Sequence, residues 1–231
     1  MSKDKKATKS AGMGEDIEVA IGRTEAFIEK YQKQLIYVVL GIVIVVSGAL
    51  MFHRYYLAPK EVEAQDQMSK SQEYFAKDSF KIALNGDGVD SKGFKRIIED
   101  YGITKSSNLA SAYAGICSFK LGDYQKAIDY LEKFDGKGTV NVSPVITGLM
   151  GDAYVELNQP DKALEYFNKA AESNNKVMSP IFLKKAGLVY ESKGDYAKAI
   201  ESYTKIKDVY FQSDVARDIE KYIERATLAK K

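Results

Sequence analysis

Three stretches of this chain are versions of one phrase. They begin at Gly122-Asp123-Tyr124, Gln159-Pro160-Asp161 and Gly194-Asp195-Tyr196, and each reaches its alanine, Ala127, Ala163 or Ala199, 36 residues after the last. The same step relates Gly115, Gly151 and Gly187, and also Ser107, Ser143 and Ser179. A fixed period in this range is the mark of a solenoid, in which units that cannot bury their own apolar face stack on their neighbours. That constrains the fold to a solenoid of stacked units, and reading each unit as a pair of helices makes the expected class all-α.

Each unit reads as two helices. Ser107-Asn108, Ser143-Pro144 and Ser179-Pro180 are expected to open the first helix, with serine capping free N–H groups. Proline at the first helical position costs nothing there, because its missing N–H would be unpaired anyway. Gly115, Gly151 and Gly187 follow, where only a hydrogen fits between closely packed helices. Gly122 and Gly194, with Asn158 at the matching place, are expected to break the helix and form the turn. Ala127, Ala163 and Ala199 then start the contact face of the second helix, and Leu131, Phe167 and Tyr203 fill the space beside them.

On these residues the chain resembles the tetratricopeptide repeat, a helix-turn-helix unit with small residues at its eighth and twentieth positions. Gly115/Ala127, Gly151/Ala163 and Gly187/Ala199 match that pair. Tyr154 and Tyr190 match the family's aromatic three places beyond the glycine, and Ser118 departs from it. The period exceeds the usual ~34, with the extra length placed in the loops around Gly136–Gly138 and Asn174–Asn175.

A degenerate unit precedes these three. A helix from about Pro59 to Leu84 is expected, then a turn at Asn85-Gly86-Asp87-Gly88 and a second helix through Phe94, Ile97, Ile98 and Tyr101. Asp87 and Asp90 bring a calcium loop to mind, but the terminal glutamate at the right spacing is missing, which favours a plain turn. Val215, Ile219, Tyr222, Ile223 and Ala226 mark one last helix, expected to cap the open face of the third repeat.

From Leu35 to Phe52 the chain carries no charged residue. Eighteen helical residues span about 27 Å, close to the ~30 Å hydrocarbon core of a bilayer. Tyr31 and Tyr37 sit near one edge of the run, and Tyr55 and Tyr56 just past the other, where aromatic rings partition. No polar face exists, so a core helix is disfavoured. A signal peptide is disfavoured too, because its leader is short and its apolar core runs ~7–15 residues. Basic residues are denser before the run (Lys3, Lys5, Lys6, Lys9, Arg23, Lys30, Lys33) than after it (Arg54, Lys60, Lys70), which places the N-terminus in the cytoplasm. The expected division is therefore a disordered leader over 1–14, an amphipathic cytoplasmic helix over 15–34 and a transmembrane helix over 35–52. A juxtamembrane helix and degenerate repeat follow over 53–106, three repeats over 107–212 and a capping helix over 213–231. The amphipathic leader, with Ile17, Ile21, Thr24, Ile28 and Tyr31 on one face, reads equally as a helix lying on the membrane or against a partner, or as an extension of the span.

Positive and negative charges nearly balance, at a formal +2, so charge predicts no nucleic-acid partner. The one cysteine, Cys117, cannot form an intrachain disulfide and reads as a core residue; the one histidine, His53, leaves no histidine-based metal cluster. No phosphate-cradling glycine loop with its lysine occurs. No catalytic residue, cofactor or metal site is expected.

Stacked repeats of the family expose the first helix of each unit on a concave face. Carrying over its groove positions gives Leu109, Ala112, Ile116 and Phe119; Val145, Gly148, Asp152 and Val155; and Ile181, Lys184, Leu188 and Glu191. Any one of these side chains has the alternative of facing a neighbouring helix. The set lacks the Lys/Asn/Arg clamp with which co-chaperone versions of the repeat hold a C-terminal carboxylate. An apolar groove suits unfolded or helical segments.

The whole layout, over roughly residues 15–228, is similar to the bacterial ancillary subunit of the Sec translocon, the YfgM type. That resemblance implies a single-pass protein of the inner membrane with a periplasmic repeat domain beside the channel. It also implies partners among translocon subunits, periplasmic chaperones and secreted clients. Two alternatives stand beside it: a scaffold assembling an envelope complex without client binding, and a regulatory subunit whose groove reads one defined peptide.

Overall fold

The computed structural model describes residues 30–230, and every regular element among them is a helix. The leader readings for residues 1–29 lie outside the described residues. The chain divides into two compact units, one ending at Ala58 and one beginning at Pro59.

In the first unit, α1 covers residues 30–51 and leads into a π-helical segment, Phe52–Leu57. Among the described residues, the helix that begins at Lys30 is the one long and apolar enough to cross a membrane. None of its apolar window is buried inside the protein, so it is no core helix of this fold.

The second unit is a stack. It runs through α2 (Ala58–Ala76), α3 (Phe80–Asn85), α4 (Gly93–Asp100), α5 (Lys105–Lys120), α6 (Tyr124–Leu131), α7 (Val142–Glu156), α8 (Pro160–Ala171), α9 (Met178–Ser192) and α10 (Tyr196–Val209). A 3-10 turn, Asp214–Asp218, then leads into α11 (Ile219–Ala229). The pairs α5/α6, α7/α8 and α9/α10 form hairpins; α6 and α8 also pack on the first helix of the next pair, and α10 packs on α11. Ala127, Ala163 and Ala199 are wholly buried at these contacts, beside Leu131, Phe167 and Tyr203. Gly122, Asn158 and Gly194 hold the hairpin turns with φ of 80°, 55° and 76°, the left-handed conformation that ends the first helix. Asp123 and Asp195 then cap α6 and α10 through the N–H groups of Lys126 and Lys198. Pro160 does the equivalent service for α8 by having no N–H to satisfy.

Two local expectations are corrected. The serines do not cap the first helices. Ser107, Ser143 and Ser179 lie within the first turns of α5, α7 and α9, which begin one to two residues earlier. At α5 the cap is Thr104, whose side chain accepts from the Ser107 N–H, and before α9 Asn175 accepts from the N–H groups of Val177 and Met178. Asn and Thr compete well for this role, and a serine already inside the turn has no free N–H two residues on.

The helix expected from Pro59 to Leu84 is broken as well. α2 stops at Ala76, Asp78 takes a φ of 54°, and α3 starts afresh at Phe80. The break folds Phe80, Ala83 and Leu84 back onto Ala64, Met68, Phe94 and Ile97, and sets the Phe75 and Phe80 rings edge to face at 5.6 Å. A straight helix would have carried those side chains away from the cluster. In the loop that follows, Asp87 organises the turn. One carboxylate oxygen accepts from the N–H groups of Val89, Asp90 and Ser91, each at 2.9 Å, and the other from the Tyr74 hydroxyl at 2.8 Å. The Val89 and Ser91 amides, with Tyr74 and the Asp90 amide, hold its carboxyl well below the usual range. Asp90 pairs instead with Lys70 at 3.1 Å.

At the far end, Ile219 and Ala226 of α11 are buried, and Val215, Tyr222 and Ile223 pack against the same cluster as Tyr203 and Ile206.

Candidate protein-binding groove

The first helices α5, α7 and α9 present their residues at matching stations, and the stations differ in what they can touch. Leu109, Val145 and Ile181 occupy the first and are all aliphatic; Leu109 and Val145 are exposed and Ile181 is half-buried. The second station closes inward. Ala112 and Gly148 are buried, and a Cβ on Gly148 would collide with the Phe182 ring, so neither can wall a groove. Lys184, the third member, donates to Asp218 at 3.2 Å and lies 4.2 Å above the Tyr222 ring. It serves the capping segment.

The remaining stations are mixed. Ile116 and Phe119 are half-buried and pack on neighbouring helices, while Val155 and Leu188 are exposed. Asp152 is paired with Lys185, whose Nζ donates to both carboxylate oxygens at 2.7 and 2.6 Å. Glu191 is the most committed. It accepts from the Tyr203 hydroxyl at 2.7 Å and from Arg225 Nη2 and Nε at 2.9 and 3.0 Å. Burial pushes this carboxyl up, but the hydrogen bonds from Arg225 and Tyr203 outweigh it, and its pKa falls below the ordinary glutamate value. Lys184 and Glu191 are thus both tied to the C-terminal cap, through Asp218 and Arg225. Leu109, Val145, Val155, Leu188 and, in part, Ile116, Phe119 and Ile181 remain on the accessible face.

Sequence reasoning missed the surroundings of Ile181. A cleft of about 710 Å³ opens beside it, lined by Val177, Val209, Tyr210, Phe211 and Val215 among others. Phe211 and Val177, both exposed, lie in the inter-repeat loops. Large apolar residues in loops were the available signal.

Residues 149–208 and residues 113–135 each match a model of the tetratricopeptide repeat. No curated protein matches the chain. Among solved structures, a tetratricopeptide repeat protein from Parabacteroides merdae is similar at a TM-score of 0.58 and 20% identity, over 71% of this chain and 60% of that one. The chain therefore spans less than two thirds of that relative's length. A MamA protein is similar at a TM-score of 0.53 and 20% identity, over 72% of this chain and 91% of that one. At such identities the likeness concerns fold. The chain carries tetratricopeptide repeats, and repeats of this kind generally bind other proteins and typically serve as scaffolds rather than enzymes.

Proposed function

We propose that the protein is a membrane-anchored, protein-binding solenoid of the bacterial inner membrane. In this reading residues 35–52 span the bilayer, the N-terminus is cytoplasmic, and the repeats stand in the periplasm. The repeat groove is translocon-associated and links emerging secreted chains to periplasmic chaperones. One observation carries the binding role: Leu109, Val145 and Ile181 put an aliphatic side chain at the same station of three successive first helices. Such a row accepts apolar side chains without fixing their identity, as a handler of many unfolded clients requires. Uncharged, wholly unburied apolar residues along α1 support the anchor.

A photoreactive residue at Ile116 or Leu188 tests the reading in living cells. Adducts with many secreted chains are the expected result. One stable adduct would move the assignment to a scaffold, and one short peptide to a regulatory subunit. Labelling of an introduced surface cysteine in the repeats from the cytoplasmic side alone would overturn the topology.

A further inference from the structure

The loops that join one repeat to the next run along a single edge of the second unit. Glu61, in the first turn of α2, accepts from the N–H groups of Lys105 and Ser106 at the start of α5, at 2.7 and 3.0 Å. Asn108, one turn into α5, donates to the carbonyl of Asp135 in the loop before α7, and accepts from its N–H. Asn175, before α9, donates to Asn141, before α7, at 3.0 Å. The loop before α9 and the loop after α10 wall one cleft. The starts of α2, α5, α7 and α9 and the segment leading into α11 therefore share this edge.

It is apolar at its tips. Val62, Ile103, Val140, Val177, Val209 and Phe211 stand along it, each between 57% and 75% exposed. The opposite edge, made by the hairpin turns, is ionic: Lys126 pairs with Asp123, Lys193 with Asp161 and Lys198 with Asp195. Leu121, Val89 and Leu228 are also exposed, but singly and in separate segments. A row of large apolar side chains held in water marks a contact surface with something apolar.

The chain enters the second unit at this same edge, because Pro59 lies two residues before Glu61. Six residues, 53–58, separate it from the end of the uncharged run at Phe52. Six residues reach at most ~20 Å even when fully extended. We propose that the apolar loop edge rests on the bilayer surface, inserting Val140, Val177 and Phe211 among lipid headgroups; this builds on the reading of residues 35–52 as a membrane anchor. Both signs of charge occur along the edge, Lys105, Lys137 and Lys176 being matched in number by Asp135, Asp208 and Asp214. Attraction is accordingly apolar rather than Coulombic, and a zwitterionic phosphatidylcholine surface suffices. The contact turns the accessible faces of α5, α7 and α9 toward material alongside the membrane, where a client leaving a channel would be.

The test uses the full chain in phosphatidylcholine vesicles containing brominated lipid, with an environment-sensitive fluorophore on single introduced cysteines. Val43→Cys reports the anchor, Val140→Cys and Val177→Cys the apolar edge, and Lys120→Cys the ionic edge. Quenching at 43, 140 and 177 with none at 120 is expected. Quenching at 43 alone overturns the edge proposal and leaves the anchor standing, whereas no quenching at 43 removes the anchor and this proposal with it. A blue shift at 140 without lipid quenching means a protein contact and also overturns it. Phe211→Asp should cut quenching at 177 several-fold while the melting curve stays in place, since Phe211 is exposed; undiminished quenching would count against insertion.

Discussion

Gly151 and Phe167 are made for each other: a Cβ on the glycine would lie 2.6 Å from Phe167 Cδ1, and that ring is fully buried. The same relation joins Gly115 to Leu131 and Gly187 to Tyr203, so the hairpins close by fitting a large side chain over a bare backbone. Gly151→Ala should destabilise the protein by ~1–3 kcal/mol through overpacking. Helix propensity alone would reward the same change by up to ~1 kcal/mol. Urea melts decide between the two: a stabilised variant would mean that the ring has room to move.

The cap over the third repeat should loosen in acid. Glu191 takes hydrogen bonds from Tyr203 and Arg225, and its carboxyl is held below its ordinary value despite burial. A depressed folded pKa gives stability that is complete above the unfolded value of about 4.3 and is lost as pH falls through the folded one. Glu191→Gln should therefore cost about 1 kcal/mol at neutral pH, discounted for the half-exposed Arg225. The difference from wild type should vanish as acid titrates the carboxylate. A constant difference at all pH values, read from melts across the acid range, would assign the effect to packing.

Much of this architecture could be read from spacing, and the reason is physical. Positions that recur every 36 residues do so because a solenoid repeats its contacts, so Ala127, Ala163 and Ala199 announce a burial that each local segment cannot explain. The left-handed turn at Asn158 was legible for the same reason, from its register with Gly122 and Gly194. Side chains that answer to one particular neighbour were not. Lys184 and Glu191 sit at groove stations by period, yet Asp218 and Arg225 of the cap, which has no counterpart in the repeats, claim them. The break at Asp78 was hidden likewise, since what bends the chain there is the cluster of Ala64, Met68 and Phe94 rather than a glycine or proline.

Cys117 should be silent toward thiol reagents in the native protein. It is wholly buried in α5, and burial pushes its thiol up to about 12, so almost no thiolate forms at mild alkaline pH. Alkylation in native buffer at pH 8 should be slow and should accelerate steeply in denaturant, reporting the opening of the α5 region. Rapid native labelling would show that this helix opens locally.

The hairpin turns should tolerate substitution according to backbone conformation and not to space. A Cβ on Gly122 meets nothing within 4 Å, so the only penalty at that position is its φ of 80°. A β-branched residue in the left-handed region carries a cost of roughly 1–2 kcal/mol, whereas asparagine adopts it readily. Asn158 already does so at the equivalent turn, at a φ of 55°. Gly122→Val should thus lower stability by about 1–2 kcal/mol and Gly122→Asn by a few tenths. The reciprocal Asn158→Gly should be close to neutral, because relief of the left-handed strain offsets the added freedom of the unfolded chain. Equal losses for Gly122→Val and Gly122→Asn in chemical denaturation would point to a steric role for that turn, and with it to a neighbour that the open surface around Gly122 does not contain.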